Sequence, residues 1–178
     1  MLNAYQHLVL FFLLSIASPV MAQNTADLRQ IRWGFSPKQV KEAEPIKPTS
    51  FRQEKLVYNR VPLASRTVGL EYTFNGDSLL SASYYYYMTA SVTQADVTAA
   101  MSEWKNLLEE KYGPGKPYQV GEIRTVRWLT PRTQINLSLG NLDKGWSLEL
   151  AYVCRVCSGE ARPQTKGDWK ARKDSKDF

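Results

Sequence analysis

Thr67-Val-Gly-Leu-Glu-Tyr-Thr-Phe-Asn75-Gly76-Asp-Ser78-Leu-Leu-Ser-Ala-Ser-Tyr-Tyr-Tyr-Tyr87-Met88 is the stretch from which the fold is read. Up to Asn75 the residues alternate, with Val68, Leu70, Tyr72 and Phe74 on one face and Thr67, Gly69, Glu71 and Thr73 on the other. That period of two describes a half-buried strand. Asn75-Gly76 tolerates the positive φ angles of a type I′ turn, so a second strand is expected to return antiparallel over 78–88. If Leu80, Ala82 and Met88 face the core, Tyr84 and Tyr86 join them. Tyr85 and Tyr87 then stand on the open face beside Ser81 and Ser83.

Working outward, 56–61 reads as a strand preceding this hairpin, and 45–54 as a polar connector. Ser36-Pro37-Lys38-Gln39 combines an N-cap, Pro at the first helical position and Gln three residues after the cap, which starts a short helix over about 37–44, closed by Pro45. Thr93-Gln-Ala-Asp96 opens a second helix, with Val92 and Val97 as its hydrophobic staple. Val97, Ala100, Met101, Trp104, Leu107, Leu108 and Tyr112 recur at helical spacing until Gly113-Pro114 ends it. Three further strands follow at about 122–130, 133–140 and 146–154. In the last two, Ile135, Leu137 and Leu139, and Trp146, Leu148, Leu150 and Tyr152, alternate with polar or small residues. The order implies an α+β fold of tandem αβββ units, about 36–88 and 93–154, with two helices packed on one face of a mainly antiparallel sheet.

The ends of the chain are of a different kind. The apolar block Leu8-Val-Leu-Phe-Phe-Leu-Leu14 followed by Val20-Met21-Ala22 has the form of a cleavable secretory signal over 1–22. No Cys follows the block, so a lipid anchor there is not expected. Cleavage would remove His7, the only histidine among 178 residues, and with it Ser-His-Asp, Cys-His and His-ligated metal chemistry. One α+β domain over 23–157 and a disordered basic tail over 158–178, carrying Trp169 and Phe178, make up the rest. A net charge of +6 favours anionic partners. An exported chain without a nucleic-acid-binding motif points to a protein or cell-envelope component, with peripheral membrane contact open to the tail, and not to nucleic acid. The expected site is periplasmic or secreted, and no cofactor is implied.

Trp33-Gly-Phe-Ser-Pro-Lys-Gln-Val40, Tyr72-Thr-Phe-Asn-Gly-Asp-Ser-Leu79 and Lys111-Tyr-Gly-Pro114 together resemble small exported bacterial proteins of unknown function, in which a W-G-M-S-x-x-x-V helix start precedes a Y-x-F hairpin. Phe35 stands where Met is commoner. In plan the chain is similar, more remotely, to the β-lactamase inhibitor protein and to the small lipoprotein of the outer-membrane β-barrel assembly machine. Both are helix-then-strands modules that bind other proteins, and the resemblance implies a binding role. The lipoprotein's anchoring Cys has no counterpart here, so its tethering does not carry over.

The candidate site is the open sheet face. Alternation places Tyr85, Tyr87, Glu71 and Glu149 there, with Thr73, Gln134 and Asn136, and Arg127 as well if Val126 and Trp128 are core. Tyrosines, amides and mixed charge suit a protein, peptide or glycan surface, because Tyr buries a large area at small entropic cost. The same face would also serve as an ordinary solvated sheet surface. Glu71 and Glu149 are the only carboxylates that alternation brings onto it together, so an envelope hydrolase using that pair is the alternative. Cys154 and Cys157 close the last strand. A local disulfide is expected of them, the other readings being a thiol-redox pair or half of a zinc site. Trp33 is read as a packing anchor and Trp104 as core.

Overall fold

The computed structural model describes residues 26–142 and 145–157, so the expected signal segment and basic tail lie outside the described residues. Helix α1 (Pro37–Ala43) is followed by strands β1 (Ser50–Arg52), β2 (Lys55–Leu63), β3 (Arg66–Asn75) and β4 (Ser78–Tyr87). Helix α2 (Gln94–Tyr112) is followed by β5 (Lys116–Val120), β6 (Ile123–Leu129), β7 (Thr133–Leu142) and β8 (Gly145–Cys154). All eight strands form one antiparallel sheet in the order β1-β2-β3-β4-β8-β7-β6-β5. The fold is α+β. No helix among the described residues is long and apolar enough to cross a membrane.

Both helix starts are closed by reciprocal caps. In α1 the Gln39 backbone N–H donates to Ser36 Oγ at 3.3 Å, and the Ser36 N–H donates to Gln39 Oε1 at 2.9 Å. In α2 Thr93 and Asp96 make the same exchange at 3.2 and 2.8 Å. These bonds satisfy backbone donors that would otherwise lack partners at a helix start.

Each run after a helix holds four strands, not three. The additions, β1 and β5, are the two sheet edges and are mostly exposed, so neither carries the apolar alternation that marks a strand in sequence. Part of the supposed connector 45–54 is therefore strand β1.

One face of the sheet is continuous core. Across it run the rows Leu56–Tyr72–Ala82–Tyr152–Ile135–Trp128 and Tyr58–Leu70–Tyr84–Leu150–Leu137–Val126, every member buried. Helix α2 packs against β7 and β8, with the Trp104 ring 6.4 Å from that of Tyr86. Val97, Ala100, Trp104 and Leu108 are its buried residues, while Leu107, which fits the same helical spacing, is 49% exposed. Val40 of α1 is fully buried, and Trp33 just before that helix donates its indole N–H to Thr133 Oγ1 at 2.9 Å. That bond ties the start of the domain to the first residue of β7.

The hairpin between β3 and β4 departs from the simple pattern. Asn75 pairs with Ser78, leaving Gly76 and Asp77 as the loop, and only Gly76 has positive φ, at 57°. Gly at the first loop position is the requirement of a type II′ turn rather than type I′. The register then shifts: Phe74 faces Leu79 but Thr73 faces Ser81, so Leu80 is an extra residue on β4. This bulge turns Leu79 into the core, fully buried, and leaves Leu80 half-buried. The core therefore takes Leu79 in place of Leu80, and Met88, beyond the end of β4, is 40% exposed. Urea denaturation should read the bulge directly: Leu79→Ala is expected to cost about 2–5 kcal/mol and Leu80→Ala about 1 kcal/mol. The reverse order would contradict the register.

Candidate functional site

The face opposite the core is likewise crossed by rows of paired residues. The central ones run Glu71–Ser83–Ala151–Asn136–Arg127–Lys116 and Gly69–Tyr85–Glu149–Ser138–Thr125–Tyr118, and beside them lies Lys55–Thr73–Ser81–Val153–Gln134–Leu129. Glu71, Tyr85, Arg127, Asn136 and Glu149 thus occupy one surface in two adjacent rows. Tyr87 follows on β4 opposite Ser147, and its side chain lies outside the described part of the structure.

Tyr85 sits at the middle of this surface. Gly69 on β3 leaves the position beside it without a side chain, and Glu149 on β8 is its partner on the other side. The phenol is half-buried rather than fully solvent-facing. Burial first, and then the Glu149 carboxylate, push its pKa up to about 12, because burial disfavours the charged phenolate and the carboxylate repels a second negative charge beside it. Glu71, one row away, is held by Lys55 at 3.0 Å.

A second cluster lies toward β5. The Arg127 guanidinium stacks 4.6 Å over the Tyr118 ring, donates to the Tyr118 hydroxyl at 3.0 Å and gives its Nε–H to Asn136 Oδ1 at 3.1 Å. Asn136 also accepts from Gln134 at 3.3 Å. Thr125, buried on this face, shares a 2.9 Å hydrogen bond with Ser138. These contacts hold the polar side chains in fixed positions, which lowers the entropic cost of presenting them to a partner.

The two carboxylates do not form a close pair. Glu71 is on β3 and Glu149 on β8, with the whole of β4 between them and Tyr85 beside both. Two strand spacings put their backbones about 10 Å apart before the stagger along the strands is added. Two concavities stand out among the described residues, of about 380 and 440 Å³, and neither is lined by Glu71, Tyr85 or Glu149.

On the core side the structure holds a polar cluster that the alternation reading passed over. The Tyr72 hydroxyl donates to Glu44 Oε1, and Arg29 Nε lies 3.4 Å from the same oxygen. The Glu44 side chain is 1% exposed, and its Oε2 and the Tyr58 hydroxyl have no hydrogen-bond partner among the described residues. Burial raises the pKa of Tyr72, Tyr84 and Tyr58, with Glu44 adding to the shift in each and Arg29 opposing it. A signal was present in the sequence, since core tyrosines need partners for their hydroxyls. What it lacked was the partner's address, 28 residues upstream of Tyr72 at the end of α1.

Cys154 and Cys157 are joined by a disulfide, with sulfurs 2.08 Å apart and Cα atoms 5.7 Å apart. Cys154 is the last residue of β8. Among the described residues no three His, Cys, Asp or Glu side chains cluster as metal ligands would.

Against protein-family models, curated proteins and solved structures, the chain finds no match.

Two outcomes follow from this geometry. Because the folded Tyr85 holds its proton up to about pH 12 against an ordinary 10, the stability it contributes is complete below pH 10 and is lost as pH rises through 12. Thermal melts of Tyr85→Phe should therefore fall less steeply than the parent's over that alkaline window. The other buried tyrosines supply what slope remains. For the cysteines, the loop closed by the disulfide spans a sequence separation of only 3. A Cys154→Ser, Cys157→Ser double variant should keep its circular-dichroism spectrum and lose about 2 kcal/mol or less.

Proposed function

We propose that this chain is an exported, non-enzymatic binding module that engages a protein or cell-envelope partner through the outer face of its sheet. The observation that carries the reading is the arrangement around Tyr85, with a carboxylate in each of two adjacent rows and the ordered Arg127–Tyr118–Asn136 cluster alongside. A half-buried tyrosine with a carboxylate in its own row and another in the next, at the centre of a surface where Glu71, Tyr85 and Glu149 line neither described concavity, suits contact with a broad partner. The separation of Glu71 from Glu149 by a full strand favours this over acid–base catalysis by the two together.

Export, to the periplasm or beyond the cell, is supported by the signal-like 1–22 segment and by a disulfide, a bond that persists in oxidising compartments. The order of helix and four strands, met twice, supports reading the domain as two joined units with both helices on the core side. That plan also supports the likeness to the helix-then-strands binding modules. The basic tail would add peripheral contact with anionic envelope surfaces.

The test is recovery of partners from an envelope fraction by the parent and by variants of the two sheet faces. Tyr85→Ala with Arg127→Ala should abolish recovery, at about 2 kcal/mol or more per anchor, while the protein stays folded. Tyr84→Ala, on the core face, should lower the melting temperature by an amount corresponding to about 3–5 kcal/mol. A folded outer-face variant that recovers the same partners as the parent would overturn the proposal.

A further inference from the structure

Away from the sheet's outer face, a groove of about 380 Å³ opens where residues 26–29, the last turn of α2 and the β6–β7 turn meet. Its size is that of small-molecule sites, which combine apolar walls with a few placed polar groups. Leu28, Ile135 and the rings of Tyr112 and Tyr152 provide apolar wall. Three cations line it: Arg29, Lys111 and Arg132.

Two of these cations already have carboxylates. Arg132 grips Asp27 through Nε at 2.7 Å and Nη2 at 3.1 Å, and Asp27 also accepts the Trp33 backbone N–H at 3.0 Å. Asp27 thus accepts three hydrogen bonds, has its charge answered by Arg132, and offers little to a cationic ligand. Arg29 points its charge to Glu44 behind the wall, at 3.4 Å. Lys111 has no carboxylate within ion-pair reach among the described residues; its ammonium lies 5.1 Å over the Tyr112 ring. The groove is left with one positive charge in excess.

A hydrogen-bond donor lies in the same wall. Tyr152 lines the groove, is 8% exposed, and its hydroxyl has no hydrogen-bond partner among the described residues. The hydroxyl is not one of the enclosed unpartnered atoms, so it keeps access to the groove and is free to donate to a ligand oxygen. Burial, with Tyr112 and Tyr84 nearby, raises its pKa, so it stays a donor at neutral pH.

We propose that this groove binds a small organic monoanion, a carboxylate carried on an apolar body, with Lys111 and the Tyr152 hydroxyl holding the carboxylate and Tyr112 and Ile135 against the body. The site is separate from the sheet face, so its failure would leave the partner-binding reading standing, and the reverse holds as well.

Isothermal calorimetry on the purified protein tests it with benzoate and octanoate, which present the same head on an aryl and an acyl body. Benzamide keeps the aryl body without the charge, and acetate keeps the head without a body. At least one of the two larger carboxylates should saturate the protein at about millimolar concentration or below, about tenfold more tightly than benzamide or acetate. Lys111→Met and Tyr152→Phe should each weaken that binding about tenfold with the melting temperature little changed. Arg124→Gln, in the second concavity, should bind like the parent. No saturation by either carboxylate, equal affinity for benzoate and benzamide, or parental affinity in both Lys111→Met and Tyr152→Phe would each overturn the proposal.

Discussion

The seam between β4 and β8 is the constraint on which the rest of this molecule depends. Two runs of four strands, each a simple meander, become one sheet because 81–87 pairs antiparallel with 147–153. That pairing sets Tyr84 against Leu150 on the core side and Tyr85 against Glu149 on the outer side. Successive side chains alternate faces, so a slip of one residue at the seam would exchange the two sets and put a carboxylate among the core rows. The apolar rows crossing from β2 to β6 hold the register because no other register buries all of them.

The bulge at Leu80 serves the same end. Without an extra residue there, the alternation that buries Tyr72 and Phe74 on β3 would not match the one that buries Leu79 and Ala82 on β4. The bulge absorbs the mismatch next to the turn, where the ladder is most easily interrupted. Beyond it, the tyrosine run falls into step with the seam, so its consecutive members divide between two environments. Tyr84 enters the core and meets Tyr152 edge-on at 6.3 Å, and Tyr85 joins the polar surface.

Polar groups on the two sides of the sheet are handled in different ways. Outside, charges are spread over rows and half-exposed, with Lys55 on Glu71 and Arg127 on Tyr118 and Asn136. Inside, Glu44 is enclosed and is answered by Arg29 and the Tyr72 hydroxyl. A buried carboxylate is tolerable only with such partners. The pair also fastens the chain before α1 to the end of that helix and to β3, while Trp33 and Asp27 fasten the same segment to Thr133 and Arg132. The opening segment of the domain is thus bound to both halves of the sheet by polar contacts between residues far apart in sequence.

Local signals determined much of this architecture from sequence alone. The two capping boxes, the α2 stripe from Val97 to Leu108 and the alternation of β3, β7 and β8 depend on neighbours within a few residues, and each is legible there. So is the sharing of one face by Glu71, Tyr85, Arg127, Asn136 and Glu149, since period two holds within each strand. The exposed edge strands β1 and β5 escaped because a strand that buries almost nothing leaves no periodic pattern. The displacement of Leu80 by Leu79 escaped because a bulge is a property of a pair of strands. Tertiary structure alone decided which strands meet at the seam, how far Glu71 stands from Glu149, that Glu44 is a buried partner of Tyr72, and that Arg29, Lys111 and Arg132 come to one groove. The physical reason is common to all four: each is set by the packing of segments distant along the chain, which no window of sequence contains.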